Sequence, residues 1–400
     1  MTVFVTVVGI GADGWALLDA GTRRIVTRAG TLLGGARHLA MVPDVPGQRR
    51  LTWPSPLRAG LPALLESCTG EVVALASGDP LVSGVGGTLI DLLGRDRVEI
   101  IPAVSSVALA RARMRWPAET TTVLSLVGRD PRTLLRLLAP GRRVLILSGD
   151  GTTPRRVADL LVAAGFGTSG MTVLSELGTA REAVFHAVPA EGVAAEFPAL
   201  NIVAVTCAGT GHPLIAGLPD EVFEHDGQLT KRDIRASALA RLAPLPRQVL
   251  WDVGAGAGSV AIEWMRADAA CRAIAIEAHP ERAARIERNA ASLGVPGLRV
   301  VHGRAPGALH GLDAPDAVFV GGGATREGVL DVCWEALRPG GRLVVHGVTL
   351  QTEALLAAKH GELGGELTRI SVEQAAPLGS FTAWKPARAV TQWTLRKDER

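Results

Sequence analysis

Short apolar runs alternate with amphipathic stretches along the whole chain, and glycine, proline and acidic residues separate them. That alternation predicts repeated strand–helix units, the signature of an α/β fold. In the first half the pattern predicts strands at 3–8, 71–75, 98–101, 143–147, 171–176 and 201–205, with a short strand entering a turn at 31–38. Helices are predicted at 15–29, 61–66, 87–93 and 154–163, and from Ser105 through Met114. In the second half the strands fall at 249–253, 273–277, 298–301, 316–320, 343–345, 367–372 and 390–395. Helices fall at 234–242, 280–293, 325–337 and 350–359, with another opening at Ser259. This second half predicts a doubly wound sheet whose ligand loops lie at the strand C-termini.

The most informative unit begins at the apolar run Val249–Val253. It passes through Gly254, Gly256 and Gly258 and enters a helix carrying Val260, Ile262 and Trp264. Glycines permit a sharp turn and close approach of a ligand. The dinucleotide fingerprint requires Gly-x-Gly-x-x-Gly; here the third glycine comes one residue early and Ser259 takes its place. With Asp252 ahead of the triplet, the motif resembles the Asp-x-Gly-x-Gly-x-Gly of S-adenosylmethionine-dependent methyltransferases. Glu277 ends the following strand, where a carboxylate can accept both ribose hydroxyls. Asp252, Gly254, Ala255, Gly256, Ala257, Gly258 and Glu277 are therefore the expected cofactor-binding residues of this half. The alternative is a structural turn with no ligand.

A second strand–glycine–helix unit stands at the N-terminus, with Gly9, Gly11 and Gly14. The spacing matches the dinucleotide fingerprint, but no acid-ended strand follows at the required distance. Two further loops, Ser77-Gly-Asp-Pro80 and Pro102-Ala-Val-Ser-Ser106, follow strands in order. Asp79 is expected to cap the next helix, and Ser105 and Ser106 to cap theirs. Together with Gly9-x-Gly11 and Leu177-Gly-Thr-Ala-Arg-Glu182, these segments resemble the tetrapyrrole (corrin and porphyrin) methylases over about residues 3–210. The resemblance implies two α/β lobes with S-adenosylmethionine held by loop backbone, and cofactor roles for Gly9, Gly11, Gly78, Asp79, Gly84, Ser105 and Ser106.

The second half resembles the methylating and decarboxylating domain of the precorrin methyltransferases of cobalamin biosynthesis. Gly227-Gln-Leu-Thr-Lys231, the Asp252 motif, Gly303-Arg-Ala305 and Val320-Gly-Gly-Gly323 carry the likeness. Pro306 departs from it, standing where an acidic residue is common. The resemblance adds Gln228, Thr230, Arg304 and Ala305 to the cofactor residues. It implies a precorrin substrate, C5 methylation by the first domain, and C15 methylation with loss of the C12 acetate carboxyl by the second.

Length and composition set bounds on this reading. At 400 residues with 47% hydrophobic residues, two domains are expected. The boundaries fall at 1–208 and 229–400, with a glycine-, proline- and acid-rich linker at 209–228. Within the second domain, Thr230 and Asp233 are expected to form a capping-box start to a helix. The net charge of +3, from 42 basic and 39 acidic residues, gives no sign of a nucleic-acid or membrane surface. Cys68, Cys207, Cys271 and Cys333 are too scattered for a zinc site or a disulfide framework. No run reaches the roughly 18 apolar residues of a membrane span. A cytoplasmic homo-oligomer without metal is expected.

A polycarboxylate substrate needs cations, and Arg232, Arg235, Arg304 and Arg326 are candidates. A solvated helix face is the alternative for Arg235. No general base identifies itself; His346, at a strand end, and Arg304 are the catalytic candidates, with a structural role the alternative for His346. Three other functions are compatible with parts of the pattern: methylation of another substrate such as RNA, cofactor sensing without catalysis, and dehydrogenation.

Overall fold

The N-terminal strand, expected at 3–8, runs from Val5 in the computed structural model, which describes residues 3–399. The chain divides into two units. Unit 1 runs to Pro131 and resumes for Ala139–Thr210, while unit 2 takes Arg132–Leu138 and everything from Gly211 on.

Unit 1 contains two five-stranded sheets. The first holds β1 (Val5–Ile10), β2 (Thr31–Gly34), β3 (Arg49–Thr52), β4 (Val72–Ser77) and β5 (Val98–Ile101), all parallel, in the order β3-β2-β4-β1-β5. Helices α1 (Ala20–Arg28), α2 (Ala36–Ala40), α3 (Leu57–Glu66) and α4 (Val85–Leu93) accompany it. Alternate residues serve opposite faces. Val7 and Ala74 pack with Leu61 and Leu89 on one side, and Val8 and Leu75 pack with Val26 and Leu39 on the other. Burial of both faces accounts for strands that read as continuous apolar runs.

The second sheet holds β6 (Thr121–Ser125), β7 (Arg143–Leu147), β8 (Gly170–Ser175), β9 (Ala183–Ala187) and β10 (Asn201–Thr206), ordered β6-β7-β10-β8-β9. Helix α5 (Ser106–Met114) covers it, burying Val107 and Ala110 against Leu145, Leu174 and Ile202; α6 (Thr153–Ala163) follows β7 in the chain. Sequence periodicity failed at β3, β6 and β9. Each is an edge strand, and β9 is largely exposed, so none carries a buried alternation.

Unit 2 is a seven-stranded sheet built from β11 (Val249–Val253), β12 (Arg272–Glu277), β13 (Arg299–His302), β14 (Ala317–Val320), β15 (Arg342–Gly347), β16 (Glu366–Ile370) and, beyond a hairpin, β19 (Val390–Arg396). The order is β13-β12-β11-β14-β15-β19-β16, with only β19 antiparallel to its neighbours. This is the predicted doubly wound arrangement. Helices α7 (Arg232–Leu242), α8 (Ser259–Ala267), α9 (Pro280–Ser292), α10 (Val329–Ala336) and α11 (Leu350–Leu363) cover its faces. The hairpin, β17 (Glu373–Leu378) and β18 (Phe381–Pro386), forms its own two-stranded sheet. It was not predicted, because Leu378, Phe381 and Trp384 are exposed and mark no core.

Two local expectations are corrected. Lys231, and not Thr230, is the N-cap of α7, and no side chain caps that helix. Thr230 instead offers its carbonyl to Arg235 Nη1 at 2.5 Å. The predicted helix at 325–337 begins only at Val329, because Gly328 sits before it in the left-handed region at φ +77°. The irregular stretch ahead of α7 is not loose from Gly211 onward: Leu218 and Phe223 are buried in the core of unit 2. No helix of the described residues is long and apolar enough to cross a membrane.

Candidate functional site

In unit 2 four strand ends converge. The Gly254 backbone amide and that of Ala255 both donate to the Ile276 carbonyl, which ties the β11 turn to β12. Gly303 donates to the Glu277 carbonyl, and Gly321 to that of Val253, which bring in the turns after β13 and β14. Glycine is required for this convergence. Gly254, Gly256 and Gly258 all have positive φ, and a Cβ on Gly254 would stand 2.8 Å from the Gly322 oxygen. On Gly256 it would stand 2.7 Å from the Gln228 carbonyl oxygen, so the Gln228 segment lies directly on the motif. Gly254 is exposed, Ala255 and Gly256 are half-buried, and Ala257 and Gly258 are buried.

The two predicted acids differ in what they touch. Glu277, 5% exposed, accepts the Gly256 amide on Oε2 at 2.8 Å and the His279 amide on Oε1 at 2.9 Å. Each oxygen keeps a further acceptor site. Asp252, 1% exposed, accepts the Ala261 amide on Oδ2 at 3.0 Å and so anchors the first turn of α8; its Oδ1 is buried with no partner. Burial pushes this carboxyl up to about 7, the Ala261 bond opposing the shift and the Glu277 charge adding to it.

Two residues absent from the sequence reading hold this site together. Asn289 of α9 donates to the carbonyls of Ala257, at 2.9 Å, and Glu224, at 3.0 Å, and accepts the Glu224 amide. Asp226 accepts the Gln228 amide and pairs with Arg282 and Arg285. The Arg282 bond, with help from the Gln228 amide, holds the Asp226 carboxyl well below the usual range despite some opposing desolvation. A signal for Asn289 existed: it is a polar residue on the apolar face of α9, beside Ile286 and Ala290.

The cationic candidates separate. Arg235 is fully buried, and both earlier readings of it, substrate ligand and solvated face, are overturned. Its Nε donates to Glu263 Oε1 at 2.6 Å, Nη1 reaches Asp220 at 3.2 Å, and Nη2 donates to the Leu218 carbonyl. Glu263 also accepts the amides of Gly217 and Leu218, so this cluster fixes the chain leading into α7. Arg232, Arg304 and Arg326 are exposed and, among the described residues, have no carboxylate partner. Ala305 packs on the core behind Arg304. His346 is buried, bonded through Nε2 to Gln392 Oε1 at 2.9 Å and set edge-on to Phe319. Burial pushes its imidazole down to about 4, the Gln392 bond opposing, so it is neutral at pH 7.

In unit 1 the loops after β1, β4 and β5 converge. The Gly78 amide donates to the Ile10 carbonyl at 2.9 Å, and the Ala103 amide to the Gly78 carbonyl at 3.2 Å. A Cβ on Gly9 would meet the Gly78 oxygen at 2.1 Å, and one on Gly84 the Pro80 oxygen at 2.5 Å. A Cβ on Gly78, itself at φ +54°, would meet Ser105 Cα at 2.9 Å. These glycines are needed for chain packing, whereas Gly11 has nothing within 4 Å. Ser105 caps α5 as expected, accepting the Ala108 amide at 3.1 Å, and Ser106 follows it as an exposed residue. Asp79 does not cap α4; it accepts the Leu81 amide at 2.8 Å within its own turn, and Gly84 precedes the helix. From the second sheet, the Leu177-Gly178 turn reaches this loop group: a Cβ on Gly178 would stand 3.4 Å from the Ala12 side chain.

Two families match the chain. Residues 5–191 match the tetrapyrrole (corrin/porphyrin) methylases, and residues 221–397 match the precorrin methyltransferase domain. The chain is 46% identical over 398 residues to a precorrin-6Y C(5,15)-methyltransferase [decarboxylating] of Sinorhizobium sp, covering 98% of this chain and 96% of the relative. It is 32% identical over 205 residues to a cobalt-precorrin-7 C(5)-methyltransferase of Salmonella typhimurium, covering 50% of this chain and 98% of that one. It is 31% identical over 168 residues to a probable cobalt-precorrin-6B C(15)-methyltransferase (decarboxylating) of Saccharolobus solfataricus, covering 40% of this chain and 84% of that one.

Proposed function

The chain belongs to the precorrin-6Y C(5,15)-methyltransferase (decarboxylating) family, and we propose that unit 1 methylates C5 of the precorrin while unit 2 methylates C15 and removes the C12 acetate carboxyl. The observation that carries this reading is the presence of two separate glycine-walled groups of strand-end loops in one chain. Relatives named for a single methylation position cover 50% and 40% of the chain.

S-adenosylmethionine fits both groups. In unit 2 the Glu277 oxygens have acceptor capacity for two hydroxyls, Asp252 has a buried oxygen without a partner, and Gly254 is an exposed stretch of bare backbone. In unit 1 the bare backbone at Gly11 borders open space, with nothing within 4 Å of a Cβ placed there. When bound, this cofactor supplies a methyl group made electrophilic by its sulfonium. The protein's share is therefore alignment and exclusion of water more than proton transfer. Gln228, whose carbonyl lies on the Gly256 turn, and with it Thr230, Arg304 and Ala305, are assigned to the unit 2 site on the likeness to the precorrin methyltransferase domain. Arg232, Arg304 and Arg326 offer unpaired cations for the carboxylate arms of the substrate. The reduced macrocycle can itself take up the electron pair released with CO2, so decarboxylation asks the protein mainly to hold the acetate arm. The burial of His346 and its bond to Gln392 support a structural role for that residue and none in proton transfer.

The test uses the full chain with precorrin-6Y and 13C-methyl cofactor, read by mass. Two added methyls and one lost CO2 are expected. Glu277→Gln should weaken S-adenosylhomocysteine at one of two calorimetric sites by roughly tenfold, about 1.4 kcal/mol. At limiting cofactor its product should be enriched in the species that carries one methyl and retains the acetate carboxyl. Absence of any cofactor uptake by the wild type would overturn the reading.

A further inference from the structure

At the C-terminal edge of the first sheet in unit 1, the ends of β2 and β4 bring together three side chains that the reading above does not use. Arg37 and His38 follow β2, and Ser77 ends β4, one residue before Gly78. Arg37 Nη2 donates to Ser77 Oγ at 3.0 Å and lies 3.1 Å from His38 Nε2. His38 Nε2 is 2.8 Å from Ser77 Oγ.

The protons in this cluster can be placed from the arginine alone, because a guanidinium only donates. His38 Nε2 therefore accepts from Arg37, and Ser77, whose oxygen already accepts from Arg37, can turn its hydroxyl proton to the same nitrogen. The imidazole proton then sits on Nδ1, which is buried without a partner. Burial, then the neighbouring guanidinium, push the imidazole down to about 4, so the ring stays a neutral acceptor near pH 7. Arg37 is thus fixed by two neutral groups. Its Nη2 hydrogens are used; among the described residues its Nε and Nη1 donors have no acceptor and no carboxylate neutralises it.

An oriented, uncompensated guanidinium at the carboxyl edge of a parallel sheet is suited to an anionic ligand group. Holding it in place beforehand reduces the conformational entropy lost when that group binds. Resting on the assignment of unit 1 as the C5 methylation site, we propose that Arg37, positioned by His38 and Ser77, is the carboxylate-binding residue of that site. The shared chemistry has two sources: a carboxylate arm of the tetrapyrrole, or the methionyl carboxylate of the cofactor.

The full chain, its Arg37→Gln variant and its Arg37→Lys variant would be compared for KM and kcat of C5 methylation. The C5 methyl is read by 13C NMR, and S-adenosylhomocysteine binding by calorimetry. An increase in KM for precorrin-6Y of about 10- to 100-fold in Arg37→Gln, with kcat within about threefold and cofactor affinity unchanged, assigns the site to a substrate arm. Arg37→Lys should recover part of the loss. A loss of S-adenosylhomocysteine affinity at one site with KM for the precorrin retained assigns it to the cofactor carboxylate. Unchanged values for both, or a parallel fall in both together with the thermal midpoint, would overturn the proposal. A wild type that transfers no methyl would instead overturn the assignment of unit 1 on which it rests.

Discussion

Unit 1 buries no charged side chain among its described residues, whereas unit 2 buries five: Arg235, Asp252, Glu263, Arg266 and Glu277. Both units gather strand-end loops around a candidate cofactor site, but they fix those loops differently. In unit 1 the loops after β1, β4 and β5 are locked by close contact of bare backbone, with Gly9 against Gly78 and Gly84 against Pro80. In unit 2 close backbone contact is joined by ionic and polar anchors. Asp252 holds the start of α8, Glu277 holds the Gly256 turn, and the Arg235–Glu263 pair holds the chain that leads to α7. A steric lock is insensitive to pH and intolerant of one added methyl. An ionic one is sensitive to charge removal and, where the group is unpaired, to pH.

The largest effect expected from this contrast follows from Glu263→Gln. Removing one partner of a buried ion pair costs about 3–5 kcal/mol, because Arg235 is left fully buried with only Asp220 as counter-charge. Urea denaturation should show the loss in the unit 2 transition alone, and Arg235→Met in the same chain should restore part of it. Equal losses in both transitions would break the contrast.

Gly9→Ala comes next. A Cβ there stands 2.1 Å from a carbonyl oxygen, and overpacking of this kind costs about 3 kcal/mol, confined to unit 1. Gly11→Ala, with open space around it, should change stability by less than about 0.5 kcal/mol yet weaken S-adenosylhomocysteine binding by unit 1. Should the two alanines destabilise alike, the distinction between packing glycine and ligand-facing glycine fails.

The last effect is a slope with pH and not a fixed loss. Asp252 titrates near 3.8 when exposed and is pushed up to about 7 by burial. The folded state thus binds the proton more tightly than the unfolded state. The resulting stability is fully present below about pH 4 and is lost as the pH rises through about 7, with a slope of at most about 1.4 kcal/mol per pH unit. Asp252→Asn should flatten that slope in the unit 2 transition between pH 4 and 7 and leave unit 1 unaltered. A slope unchanged by the substitution would show that another group sets it.

The sequence by itself determined much of this molecule. Where a strand is buried on both faces, as at β11, β12 and β10, the apolar run located it to within a residue. The glycine turns and Glu277 were legible because close backbone approach and a strand-terminal acid each demand a particular residue type. The edge strands β3, β6 and β9 and the exposed β17–β18 hairpin were not legible, since a strand without a buried face writes no period into the sequence. Nor were the roles of polar side chains. Arg235 and Arg304 are alike in sequence, yet Arg235 is sealed against Glu263 and Arg304 is exposed. Asp79 and Thr230 stand where caps are expected, yet neither caps the following helix. Apolar burial is a property of a segment and is written locally. The partner of a charge or a hydrogen-bonding group is set by residues far away in the chain, as Asn289 is to Glu224 and His346 to Gln392, and only the tertiary structure brings them together.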